Sequence, residues 1–180
     1  VLAAMNRRHT AAEYLAQIAR LRAARPDLAL SSDFIVGFPG ETEADFNATL
    51  SLVRAVGYAS AYAFKYSPRP GTPAAAAPDP VPEAVKEERL GRLLELVNGQ
   101  QAAFNAASVG RRLSVLFERQ GRHSGQLIGR TPYNQAIHAA APPSLLGTVR
   151  ALDVVRVTAN SLGGVLAGTD DLALRGQQRR

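Results

Sequence analysis

Apolar positions in the first part of the chain alternate between two spacings. Leu15, Ile18 and Leu21 recur at helical intervals behind Thr10-Ala11-Ala12-Glu13, which has the spacing of a capping box, and Arg25-Pro26 closes the run. Leu28 to Val36 reads as a strand, with Phe34, Ile35 and Val36 nearly continuous, as in a parallel strand covered on both faces. Thr42 with Asp45 resembles a second cap, Phe46, Leu50 and Val53 form the next helical stripe, and Gly57 stops it. Tyr58 to Tyr66 returns to strand character. Helix, strand, helix, strand with short links is the rhythm of a βα-repeat protein, although two repeats are too few to close a barrel.

The segment 67–82 holds six prolines in sixteen residues and reads as a loop. From Glu83 to near Ala107 the pattern predicts one long helix, with Val85, Leu90, Leu93, Leu94 and Val97 facing inward and Gly99 as a possible break. Past Val109-Gly110 the period becomes two: Leu113, Val115 and Phe117 alternate with Arg112, Ser114, Leu116 and Glu118. Further short strands are expected at Gln126–Gly129, Ala136–Ala139, Gly147–Thr158 and Leu162–Ala167, which together make a small, closed or nearly closed β-barrel. The expected fold class is therefore α/β plus all-β. Its parts are βα repeats over 1–107, a five-stranded barrel over 108–170 and a flexible tail over 171–180.

Charge sharpens this division. The whole chain carries +6, yet residues 1–110 hold 11 basic and 11 acidic side chains, whereas 111–180 hold 10 arginines and 4 acids. The excess is all arginine and all in the last part, which fits either a basic soluble surface or a module that grips phosphates with guanidinium forks. With no cysteine, disulfides, thiolate zinc sites and thiolate-held iron–sulfur clusters are excluded within these residues. The three histidines show no ligand spacing, so no metal is expected on this chain alone. No apolar run is long enough to span a membrane, and no signal peptide is evident. The chain starts without Met inside a helix-like pattern, which reads as the C-terminal part of something longer.

Three segments carry candidate chemistry. Gly37-Phe38-Pro39-Gly40-Glu41-Thr42 joins a strand to a capped helix at the carboxyl edge of the sheet, where α/β proteins place ligands; a plain tight turn fits equally. Lys65-Tyr66-Ser67-Pro68-Arg69 ends the next strand at the same edge, and Asn6-Arg7-Arg8-His9 sets two cations before a helix N-terminus. In the barrel, Arg122-His123, Arg130-Thr131-Pro132-Tyr133-Asn134 and Arg150 interleave cations with one aromatic, the chemistry of single-stranded or looped RNA recognition. Tyr133, in a turn, is expected to be exposed.

The succession MNRRHT, SSDFIVGFPGETEADF, FKYSPRPGTPAA, VPEAVKEERLGRLLEL, VGRRLSVLFE and GQLIGRTPYNQAIH resembles the C-terminal part of the radical-SAM methylthiotransferases, and the tRNA branch better than the sister branch that modifies a ribosomal-protein aspartate. The resemblance implies a partial TIM-like radical-SAM barrel ending in an OB-like TRAM domain. It also implies methylthiolation of the isopentenylated adenosine beside the tRNA anticodon, using S-adenosylmethionine and two 4Fe–4S clusters. Arg7, Asp33, Ile35, Gly37 and Phe38 would then line the S-adenosylmethionine pocket. Lys65, Arg69, Arg111, Arg122, Arg130 and Tyr133 would contact RNA. The implied partners are the tRNA anticodon stem-loop and the upstream half of the same polypeptide, in a cytoplasmic monomer. The family's cluster cysteines have no counterpart here, so the chain alone is expected to be inactive, with no catalytic residue of its own; the alternatives are a fragment of the sister enzyme that modifies a ribosomal-protein aspartate and a non-catalytic RNA-binding module.

Overall fold

The computed structural model describes residues 1–168, which fall into two units divided between Ala102 and Ala103. The expected tail, 171–180, lies outside the described residues. The start of the chain, expected to be helix-like, is instead a turn, with Met5 N–H bonded to the Val1 carbonyl and Asn6 at φ 57°.

In the first unit, helix α1 (Ala11–Ala24) begins at Thr10, whose hydroxyl accepts from the Glu13 amide while the Glu13 carboxylate accepts from the Thr10 amide. Strand β1 (Ser31–Val36) leads through the 37–42 turn into helix α2 (Glu43–Val56), which Thr42 and Asp45 cap in the same reciprocal way. Gly57 ends α2 in the left-handed region at φ 62°. Strand β2 (Ser60–Lys65) pairs with β1 in parallel, from Ser31 opposite Ser60 to Val36 opposite Lys65. A short 3₁₀ turn, Pro73–Ala76, interrupts the proline-rich loop before helix α3 (Glu83–Ala106). Gly99 does not break α3, which runs through it without interruption despite the roughly 1 kcal/mol that glycine costs in a helix.

The core of this unit gathers Ile18, Val36, Phe46, Leu50, Val53, Tyr58, Leu93 and Val97 on one face of the two strands. Gln100 stitches it, accepting from the Tyr58 amide at 2.9 Å and donating to the Val53 carbonyl at 2.8 Å. Burial, followed by the 2.9 Å contact with the Tyr14 hydroxyl, raises the Tyr58 phenol above its ordinary pKa. The other face of the strands is open, which corrects the expectation of a strand covered on both sides. Ile35 is 47% exposed, Tyr62 66% and Phe64 53%, and the cross-strand pairs Asp33–Tyr62 and Ile35–Phe64 lie on that face. The sequence shows the apolar run but not how many neighbours it will have. Up to the end of α3 the described residues form a two-stranded parallel sheet with three α-helices and close no α/β barrel.

The second unit takes in the end of α3, because Phe104 stacks edge-on against Tyr133 and Asn105 accepts from the Gln135 amide group. Strands β3 (Arg112–Gln120), β4 (Gln126–Arg130), β5 (Ala136–Ala140), β6 (Val149–Val157) and β7 (Leu162–Leu166) close into a barrel in the order β3-β4-β5-β7-β6. All neighbours are antiparallel except β5 and β7, which run parallel. The period-two pattern does what it predicts: Leu113, Val115 and Phe117 point inward with Leu127, Ile137, Leu152, Val154 and Leu162. Gly129 sits opposite the β3 bulge, where a Cβ would stand 2.2 Å from the Leu116 carbonyl oxygen, so only glycine fits.

Candidate functional site

The 37–42 turn is held from inside. Glu41, buried beside Phe38, accepts from the Gly37 amide at 3.0 Å and from the Arg89 guanidinium at 2.7 Å, and Arg89 also donates to the Glu41 carbonyl at 3.1 Å. Both side chains are about 95% removed from solvent, at 5% and 4% exposure. Arg89 reaches the exposed Glu43 at 3.4 Å, its Nε–H lies buried with no hydrogen-bond partner among the described residues, and it faces the Phe46 ring at 5.6 Å. Neither Glu41 nor Arg89 is among the individual site residues expected from the sequence, although Glu41 lies in the 37–42 segment. The available signals were a carboxylate directly after Pro39-Gly40 and an arginine falling in the inward stripe of α3.

The five residues expected around S-adenosylmethionine do not share one surface. Asp33 and Ile35 lie on the open face of β1, whereas Phe38 is 6% exposed and packs edge-on against Tyr66 at 5.2 Å between centroids. Gly37, at φ 72°, is approached by the stem of Lys86, whose Cγ would lie 2.4 Å from a Cβ there. Arg7 is exposed in the segment before α1, and no hydrogen bond or ion pair ties it to Asp33.

Two of the residues expected to meet RNA, Lys65 and Arg69, belong to the first unit. Lys65 is already held by Glu83 at 2.5 Å and Glu87 at 3.3 Å, contacts that raise its pKa, Glu83 foremost. Arg69 is exposed just past β2, its carbonyl accepting from the Thr72 hydroxyl. The other four lie on the barrel. Arg111 donates to the Tyr133 hydroxyl at 2.8 Å and lies 5.2 Å over its ring. Tyr133 is half-buried rather than exposed, because Phe104 and the barrel core take one side of its ring. Arg130 caps its own turn at the Asn134 carbonyl and stands 3.6 Å from Glu118, while Arg122 is exposed.

Seven arginines and two carboxylates lie between residues 111 and 168, a net of +5. Arg112 is bound bidentately by Asp153, at 2.7 and 2.9 Å, which lowers the Asp153 pKa, and Arg130 pairs with Glu118. The remaining five, Arg111, Arg119, Arg122, Arg150 and Arg156, make no ion pair among the described residues. The barrel thus presents uncompensated guanidinium groups, the requirement for phosphate binding. Among the described residues no cluster of His, Cys, Asp or Glu is placed to hold a metal ion, and no helix is long and apolar enough to cross a membrane.

Residues 106–167 match the family model of the TRAM domain. The chain is also 57% identical over 169 residues to the tRNA-2-methylthio-N(6)-dimethylallyladenosine synthase of Maricaulis maris (strain MCS10), an alignment that takes in 94% of this chain. The chain spans 37% of the length of that relative. Over nearly all its length, then, this chain is similar to one part of a tRNA methylthiotransferase, and its closed five-stranded barrel coincides with the match to a TRAM domain.

Proposed function

We propose that the chain is the substrate-side part of a radical-SAM tRNA methylthiotransferase, acting in the cytoplasm on the isopentenylated adenosine beside the anticodon. The observation that carries this reading is the 57% identity spread over 94% of the chain, both units included. The barrel, residues 108–170, binds the tRNA through its unpaired arginines. Residues 1–107 supply βα repeats to a larger barrel completed by the rest of the polypeptide. The open apolar face of β1 and β2, which such a neighbour would cover, supports that role.

S-adenosylmethionine fits the first unit in part. Asp33 and Ile35 offer a carboxylate and an apolar side chain on the open face, and the Glu41–Arg89 pair fixes the turn beyond them. When bound, it would supply the radical and the methyl group; Asp33 and Ile35 would orient it, while Phe38, packed on Tyr66, would stiffen the strand end from within, and Gly37 and Arg7 do not share their surface. The 4Fe–4S clusters do not fit, since the chain has no thiolate to ligate them. No catalytic step is therefore assigned to these residues. The protein works as a monomer on one tRNA.

Nucleoside analysis of tRNA from cells lacking the methylthio modification tests this reading. The complete reading frame that encodes the chain is expected to restore the methylthio adduct, and the 180 residues alone are expected not to. Restoration by the 180 residues, or an adduct on protein and none on tRNA with the complete frame, would sink it.

A further inference from the structure

The outer surface of the barrel holds a cleft of about 490 Å³ between the start of β4, β5, β7 and the end of β6. Strand register explains its shape. His138 on β5 stands opposite Gly163 on β7, and Gly163 stands opposite Arg156 on β6. Ile137 and Ala139 point into the core, so His138 points out, and the β6 bulge between Val154 and Arg156 turns Val155 and Arg156 outward in succession. The middle position of the row has no side chain. Arg156 lies down across it, its Cγ and Nε each 2.8 Å from where a Gly163 Cβ would be. The guanidinium is therefore laid on the barrel wall rather than dispersed in solvent, while making no ion pair among the described residues.

The rest of the cleft has matching chemistry. His138 uses Nδ1 for the Ser161 hydroxyl, at 3.0 Å, and Ser161 in turn meets the Thr158 hydroxyl at 2.9 Å, so the ring is fixed with Nε2 left for a ligand. His123 and Gln126 add polar groups at the β4 end, and Val155 and Val165, each 48% exposed, form apolar walls. No carboxylate of the described residues lines it. Of the titratable and charged groups on these elements, Asp153 on β6 is taken up by Arg112, and Arg122 precedes His123.

The geometry points to this cleft between His138 and Arg156 as the place where the barrel grips the sugar–phosphate backbone of single-stranded RNA. The inference rests on the RNA-binding reading above and deepens it: it moves the main contact from the Arg111–Tyr133 end, where the arginine is already stacked, to the parallel β5–β7 seam. A phosphate between His138 and Arg156 would be bracketed from two strands about 10 Å apart, above the Arg156 stem that lies over Gly163. The apolar walls would flank the riboses.

The test is fluorescence anisotropy of the full 180-residue chain with a labelled single-stranded RNA hairpin loop, at several salt concentrations. Arg156→Ala is expected to weaken binding about tenfold and to flatten the salt dependence by about one phosphate contact. Arg119→Ala, an exposed arginine outside the cleft, is expected to weaken it by about twofold or less. Arg156→Lys should recover only part of the loss, because one ammonium cannot replace the fork. Equal losses for Arg156→Ala and Arg119→Ala would reduce the effect to net charge and overturn the assignment, while leaving RNA binding itself intact. A wild-type chain that binds no RNA at any salt would overturn both. Circular dichroism of Arg156→Ala guards against simple unfolding; if that variant unfolds, Arg156→Lys and His138→Gln carry the comparison.

Discussion

A single carboxylate shows how much one residue can organise. Glu41 serves the Gly37 amide and the Arg89 guanidinium with the same oxygen, so losing it strands a buried cation whose Nε–H already lacks a partner among the described residues. Glu41→Ala is expected to destabilise the first unit by about 3–5 kcal/mol. Glu41→Ala with Arg89→Met should cost less than the two single changes added together. Hydrogen exchange of the α2 amides reads the first unit separately, and simple additivity would contradict the coupling. At His138, burial first, then Arg156 and His123, lower the pKa below 6.5. The folded barrel therefore binds that proton less readily than the unfolded chain. The stability involved is present above the unfolded pKa and is lost as pH falls through the lower folded value. The barrel's Tm should fall slightly from about pH 7.5 to about 5.5, and His138→Gln should remove that slope. A slope unchanged by the substitution would refute the assignment to this ring.

At the scale of elements, the local rules decide most of what is seen. The two capping boxes were legible because Thr-x-x-Glu and Thr-x-x-Asp carry their own geometry, and the barrel strands because period two survives in a closed sheet. Thr42→Ala should cost about 1 kcal/mol. Gly99→Ala should stabilise α3 by about 0.5–1 kcal/mol, since Gly99 is exposed in an unbroken helix with nothing within 4 Å of the added Cβ. A loss of stability on that change, measured by urea unfolding, would mean that α3 needs the glycine for a bend. What stayed hidden has a common cause. The Glu41–Arg89 pair joins residues 48 positions apart, and the His138–Gly163–Arg156 row depends on the register of a parallel seam. Periodicity within one segment reports which face a residue takes, not which residue lies across from it. For the same reason Phe34-Ile35-Val36 shows its apolar character but not that one face would stand open.

For the whole molecule, charge is the property that the two units divide most sharply. The first 110 residues are neutral, and the described barrel carries +5 with five arginines unpaired among the described residues. Such a surface binds polyanions by releasing their counterions, which makes affinity fall as salt rises. The similarity to a tRNA methylthiotransferase supplies the identity of the polyanion in the proposed function. With no cysteine, this chain offers no thiolate to an iron–sulfur cluster.

The central claim is most directly tested by titrating the 180-residue chain with an isopentenylated anticodon stem-loop from roughly 50 to 200 mM salt. Binding that weakens steadily with salt, by about tenfold or more for several phosphate contacts, is the predicted result. No binding, or an affinity indifferent to salt across that range, would contradict it.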